Sequence, residues 1–342
     1  MADRTRARRG HAEPLWDRIE RQRLKTAAFV MLFIAAAALS AGVLVAAAGV
    51  FLGVVLVSPD GFDDFFRVLP YIVAGAVALG ALAAAVHVVR MLVGPERRLP
   101  AQFGARRSDT GTLLPTKSAL HDMALAAGFT HAPPLWVIDD CDRVNAFALG
   151  LSEHTALIGV TRGFTERLPA DSQRAVFANL MSRLRAGDTM SATTIAAIMG
   201  PIWAGRAADL RRQQEREDGA ADGAPAADAV LGNGRRSRGV IGRFIVGFLA
   251  VVVTEALMAG HERAALAASE KADAEGMLLL KDPEAMLRAL EDVLTANNTV
   301  PGAGEAYSML FYCWAGFGYA PEDDPEMQRI GRLREVLGAA GA

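Results

Sequence analysis

Residues 134–188 read PLWVIDDCDRVNAFALGLSEHTALIGVTRGFTERLPADSQRAVFANLMSRLRAGD, and the change of period within them decides the fold. Three short apolar runs come first, each closed by turn residues. Pro134 to Asp139 predicts a strand that stops at the turn Asp139-Asp140-Cys141-Asp142; Val144 to Leu149 predicts a second and Thr155 to Thr161 a third. Connections this short favour antiparallel pairing. The period then lengthens. Pro169 suits a first helical turn, Asp171 favours the positive end of the helix dipole, and Val176, Phe177, Leu180, Met181 and Leu184 recur at helical spacing as far as Arg185. Strands giving way to helix imply an α+β fold with a small antiparallel sheet.

Further helices flank this stretch. Pro115 to Phe129 offers Leu120, Met123, Leu125 and Ala126 to a core. Glu262 to Leu280 follows, then Pro283 to Thr295 behind an Asp282 cap, then Pro325 to Leu337 capped by Asp324 and stopped by Gly338. Residues 114–338 therefore form one mainly helical domain. Residues 206–238 interrupt it as a polar insertion read as flexible. Apolar stretches at 189–205 and 240–260 are too short to be decisive and stand as candidate additional membrane segments.

The N-terminal quarter has a different chemistry. The chain has 342 residues, 52% of them hydrophobic and 22% charged, and its mean hydropathy of +0.22 is high for a water-soluble domain. Thr26 to Val57 and Val68 to Val89 carry no charge, and each exceeds the about 20 residues that cross a bilayer core. A cleaved signal peptide fits poorly, because the first run is too long and a second follows at once. The reading is a basic cytoplasmic N-terminus at 1–25, two transmembrane helices within 26–94 and a linker at 95–113. Arginines crowd both outer flanks, from Arg4 to Arg23 and from Arg90 to Arg107, whereas the turn between the spans holds Asp60, Asp63 and Asp64. By the positive-inside rule the flanks and the folded domain are cytoplasmic, in a multi-pass protein of the plasma (inner) membrane. Gly49 and Gly53, four apart, suit close helix approach. A net charge of −2 argues against nucleic acid as a partner, and two cysteines exclude a disulfide framework or a cysteine-built zinc motif.

The order of these pieces resembles the HtpX-like zinc metallopeptidases, membrane-embedded relatives of the CAAX prenyl protease. The resemblance is carried by Ala132 to Asp139, by Asn145-Ala146-Phe147-Ala148-Leu149-Gly150, by Ile158 to Phe164 and by Leu168 to Asp188. It continues through Lys271-Ala272-Asp273, Asp282 to Leu290 and Pro325 to Leu333. The resemblance implies a metallopeptidase-like domain behind a membrane hairpin. It also makes Asn145 to Gly150 a peptide-binding strand, along which an extended peptide lies by β-augmentation; as plain structure, the same segment is an edge strand.

Such peptidases carry His-Glu-x-x-His on a helix: two histidines on one face grip zinc, and the glutamate serves as general base. A third ligand, a glutamate, precedes an aspartate by four residues on a later helix. The matching positions here hold Asn179 for the first histidine, Leu180 for the base, Arg183 for the second histidine and Ser269 for the glutamate, with Asp273 as the aspartate. No two of the six histidines lie three or four residues apart, and a guanidinium repels a metal ion rather than binding it. The expectation is a pseudopeptidase without zinc, which binds peptides or membrane-protein segments in quality control or regulation. An active zinc endopeptidase with atypical ligands and a structural membrane protein without a groove stand as alternatives. Oligomeric state is unspecified.

Asn179 and Arg183 share a helix face, as a solvated stripe or as part of a buried clamp in which Arg183 pairs with Asp273 or Glu270. Cys141 and Cys313 read as inert buried thiols. His87 sits near the interface end of the second span, and Asp139, Asp140 and Asp142 form an acidic turn.

Overall fold

A computed structural model describes residues 15–56, 61–109, 111, 113–139, 141–202, 266–300, 302–303, 305–313 and 325–340. The residues before 15, the polar insertion at 206–238, the apolar stretch at 240–260, the start of the helix read from Glu262 and the Asp324 cap lie outside the described residues.

Two long helices open the chain, α1 (Leu15–Leu56) and α2 (Phe62–Leu92). Both are long and apolar enough to cross a membrane. Met31, Leu39, Phe51 and Val54 on α1 and Tyr71, Leu79, Leu82 and Val89 on α2 are exposed. Water would not tolerate so much bare apolar surface, whereas lipid requires it. The helices pack antiparallel. A Cβ on Gly49 would fall 2.3 Å from Leu69 Cδ1 and one on Gly53 2.7 Å from Phe65 Cε1, so both glycines are occupied by close approach of the partner helix.

The segment after α2 is more ordered than a linker. It holds α3 (Pro95–Gln102) and a two-residue strand β1 (Arg106–Arg107), which pairs antiparallel with β2 (Leu135–Ile138). Helix α4 (Leu114–Ala126) lies between them in sequence. Strands β3 (Ala146–Leu149) and β4 (Leu157–Thr161) complete a four-stranded sheet of order β1-β2-β4-β3. β3 pairs antiparallel with β4, but β2 pairs parallel with it, Leu135 opposite Ile158 and Ile138 opposite Thr161. The sheet is therefore mixed, which corrects the wholly antiparallel expectation. Directions do alternate along the chain, as short connections demand. The loop through Cys141 to Val144, however, passes over the end of β4, where Gly163 N donates to Cys141 O at 3.1 Å. β3 is thus carried one strand further out, and β4 enters between β2 and β3.

Both faces of the sheet are covered. Leu135, Val137, Ala146, Ala148, Ile158 and Val160 face a core shared with α4, α6 (Ala170–Ala186), α9 (Pro283–Thr295) and α10 (Pro325–Ala340). Asp282 caps α9 through the amide of Ala285 (2.9 Å), while α10 runs through Gly338 instead of stopping there. Ile138, Phe147, Leu149 and Leu157 face a second core with Leu99, Phe103, Ala192 and Ala196. A short α5 (Arg162–Arg167), α7 (188–202) and α8 (266–280) complete the described helices.

Helix α7 joins hairpin to domain. Ala192 and Ala196 pack into the second core, while Ile195, Ile198 and Met199 meet Phe29, Phe33, Val88 and Met91 of the hairpin. His87 Nε2 lies 3.2 Å from Ile198 O, a hydrogen bond that places this ring at the joint.

Phe147 and Gly159 are directly opposed on β3 and β4. A Cβ at 159 would meet the Phe147 ring at 2.0 Å. The ring has nowhere to go, being packed against Phe103 and Phe311 at centroid distances of 5.6 and 5.4 Å. Gly159→Ala should therefore destabilise the protein by about 1–3 kcal/mol, the range for overpacking a core, read as a lowered Tm of the detergent-solubilised chain.

Candidate functional site

Helix α6 is buried along almost its whole length, polar residues included. Leu180 points into the main core and is fully buried, so it serves packing. Asn179 turns the other way, towards α8, where its Nδ2 donates to Asp273 Oδ1 at 2.7 Å. Ser269, one turn earlier on α8, is half-buried.

Asp273 is almost fully buried, and its principal partner is Arg329 on α10. Arg329 Nη2 reaches Asp273 Oδ1 at 2.9 Å and Nε reaches Oδ2 at 3.0 Å, a bidentate fork. The same guanidinium donates to Tyr312 O at 2.9 Å, binds Glu326 and lies 5.3 Å from the centre of the Tyr312 ring. Burial opposes its charge, but Asp273 and Glu326 outweigh that and push its pKa well up. Glu270 binds Arg332, one turn further along α10.

The expected clamp between Arg183 and Asp273 or Glu270 is thus not what forms. Arg183 is buried, as the clamp requires, yet neither acid is its hydrogen-bond partner. Nη1 donates to Phe311 O at 2.9 Å and Nη2 donates to Met309 O. Both acids are claimed by α10, so Arg183 turns to backbone carbonyls. Burial lowers its pKa, opposed chiefly by the charge of Asp188. Asp188 is in turn bonded to Gln22 of α1, and burial raises its carboxyl.

The carbonyls that Arg183 holds belong to a 3-10 helix (Glu305–Leu310) and to Phe311 just after it, beside the strand that the family resemblance made peptide-binding. Phe311 forms an antiparallel bridge with Phe147, and Tyr312 N donates to Ala146 O at 2.8 Å. Asn145 fastens the end: its Nδ2 donates to Cys313 O at 2.7 Å and to Asn298 O at 2.8 Å. Ala148 and Leu149 are fully buried, and Gly150 N donates to Thr193 Oγ1 at 2.9 Å. Within residues 145–150, Ala146–Leu149 form an outermost strand, and Phe311 and Tyr312 of the same chain pair with part of its open side.

These residues do not fit zinc. Arg183 brings a buried positive charge to one ligand position, Leu180 has no donor atom, and the Asn179 amide is turned to Asp273. Among the described residues no group of three or more histidine, cysteine, aspartate or glutamate side chains is placed to hold a metal. The remaining candidates have structural employment. Cys141 and Cys313 are buried free thiols, and burial pushes the Cys313 pKa well up. Asp142 pairs with Arg162, which holds its carboxyl below the usual value.

Arg329 has the largest polar role here and was not among the residues singled out from sequence. A signal existed: Glu270 and Asp273 are three apart, as are Arg329 and Arg332, so two helices present complementary charges at matching spacing. Nothing in the sequence marks the backbone acceptors of Arg183.

A hairpin of two membrane-length helices, a mixed four-stranded sheet and a buried central helix carrying the ligand positions define a peptidase-type domain behind a membrane anchor. The sequence profile of peptidase family M48 matches residues 115–335, and the chain belongs to that family. It is 33% identical over 129 residues to a protease HtpX homolog of Acidiphilium cryptum, covering 38% of this chain and 44% of that protein. A protease HtpX homolog of Streptococcus uberis is 26% identical over 56% of this chain and 61% of its own length. One from Thermoanaerobacter pseudethanolicus is 25% identical over 64% of this chain and 70% of its own. The match thus spans less than two thirds of the first two relatives.

The Asp273–Arg329 pair is buried on both sides, so removing one partner leaves the other charge uncompensated. Arg329→Ala and Asp273→Ala should each cost about 3–5 kcal/mol. The double variant should cost clearly less than the sum, measured by denaturant unfolding of the purified chain.

Proposed function

We propose that this chain is a non-catalytic, membrane-anchored member of family M48. In this reading it keeps the peptidase scaffold to bind extended peptides or membrane-protein segments, as a partner or regulator in membrane-protein quality control. The observation that carries the reading is Arg183: a buried guanidinium at the second histidine position, with two of its nitrogens on the Phe311 and Met309 carbonyls. A protease has to activate water at this place, and a permanent cation beside leucine offers neither a metal ligand nor a base.

Elemental analysis of the purified protein should find no stoichiometric zinc, and casein-like substrates should not be cleaved in a chelator-sensitive way. About one tightly held zinc per chain, the content of an intact site, would sink the reading in favour of an active zinc endopeptidase.

One observation favours a second reading, a purely structural protein without a groove: the open side of β3 is already taken by residues 311–313. Binding of an added peptide separates the two.

The membrane arrangement belongs to the same proposal. The arginine-rich flanks and the acidic turn support a cytoplasmic domain, with the connection between the helices on the far side. A topology reporter fused at Asp60 should read outside and one at Asp139 inside; export of the Asp139 fusion would refute the arrangement.

A further inference from the structure

We infer that the side of the domain nearest the hairpin binds the headgroups of anionic phospholipids, and that Arg97 and Arg107 are the side chains of the domain that hold them. This property goes beyond the non-catalytic reading and stands whether or not the chain cleaves peptides.

The cations gather at one end of the hairpin. Helices α1 and α2 pack antiparallel, so Arg23 and Lys25, just before the uncharged run from Thr26, stand at the same end as Arg90 in the last turn of α2. Only Val93 and Gly94 separate α2 from α3, and Arg98 Nη1 donates to Arg90 O at 2.7 Å, which ties α3 to the end of α2. Within α3, Leu99 and Pro100 are buried, while Arg97 in the first turn is exposed. Arg107 on β1 lies directly opposite Trp136 of β2, so the two side chains share a face of the sheet. Trp136 is half-buried against the second core, which α7 connects to the hairpin through its other side. Arg107 is therefore on the hairpin side of the sheet. Arg106, opposite Val137 of the main core, is on the far side.

The charge here is unbalanced. From Arg90 to Asp109 five arginines stand against two acids, Glu96 and Asp109. Exposed arginines elsewhere in the domain, such as Arg174, Arg288 and Arg334, hold carboxylates. Arg23, Lys25, Arg90, Arg97 and Arg107 have no ion-pair partner among the described residues. The positive-inside rule accounts for cations close to the spans. It gives no reason for a folded domain to leave Arg97 and Arg107 unpaired on the side nearest the hairpin. A phosphate does: a guanidinium forks onto its oxygens with paired N–H groups, and a half-buried tryptophan beside it suits the headgroup level of a bilayer. A lipid is the source that the position favours, because the hairpin brings the patch to the membrane surface.

The test uses the full chain in dodecyl maltoside micelles. Phosphatidylglycerol and phosphatidylcholine, each with a fluorescent acyl label, are titrated and read by polarisation. In low salt phosphatidylglycerol should bind about thirtyfold or more tighter than phosphatidylcholine, and salt at about 1 M should remove the difference by screening. At about fivefold for each cation near an anionic surface, Arg97→Gln with Arg107→Gln should weaken phosphatidylglycerol about 25-fold and leave phosphatidylcholine unchanged. Arg174→Gln with Arg334→Gln removes the same charge from ion-paired sites and should leave the preference in place. All four side chains are exposed, so the fold tolerates the substitutions. Equal binding of the two lipids would overturn the inference, as would a preference untouched by the Arg97 and Arg107 changes. An equal loss in the Arg174 and Arg334 variant would reduce the effect to net charge and overturn it too. So would glycerol phosphate competing as well as the lipid, the mark of a soluble phosphate ligand.

Discussion

Among the described residues of this domain two guanidiniums are buried, and their demand for acceptors organises what surrounds them. An arginine cannot shed its charge, so each buried copy must find oxygen atoms. Arg329 takes the Asp273 carboxylate, the Tyr312 carbonyl and Glu326. Arg183 takes the carbonyls of Met309 and Phe311. One short piece of backbone is therefore fixed by α6 through one arginine and by α10 through the other. The link between α6 and α8 passes through Asn179 and Asp273. In the peptidases this chain resembles, a metal ties those two helices together. Here three hydrogen-bonding side chains and a peptide segment occupy the corresponding place.

This arrangement puts specificity above stability. A buried pair such as Asp273–Arg329 gives little net stabilisation over an apolar replacement, but leaving either member alone is expensive. The pair therefore penalises any packing in which α8 and α10 slide past one another. Glu270 with Arg332, one turn away, reinforces the same register. Arg183 plays the equivalent part for the 309–313 segment, because a shift by one residue would turn its carbonyls away from the guanidinium.

The hairpin and the helices of the domain were legible because their signals are local: long uncharged runs, apolar residues at helical spacing, and the cap at Asp282. The three central strands were legible on the same ground. Their order was not. Which strand enters the middle of a sheet depends on the path of the Cys141 to Val144 loop across β4, and no residue there announces that path. Arg106 and Arg107 were invisible as a strand because a two-residue run has no period. At the site, the family resemblance placed the ligand and base positions at Asn179, Leu180, Arg183 and Ser269, with Asp273 as the aspartate beyond them, and a buried Arg183 was one of two readings of its helix face. The partner expected for Arg183 was wrong because only side chains of opposite charge were weighed. Backbone carbonyls are acceptors that every residue carries, so they leave no mark in a sequence.

Helix α1 has a mechanical consequence. It is one uninterrupted helix of 42 residues, about 63 Å at 1.5 Å per residue. Only part of that length fits the ~30 Å hydrocarbon layer of a bilayer, and the remainder continues to Gln22 and its bond with Asp188 at the start of α7. A rod held by lipid at one end and by the domain at the other acts as a lever. That arm ends beside the junction of α6 and α7, one turn from Arg183, so a change in the lean of α1 would reach the domain there first.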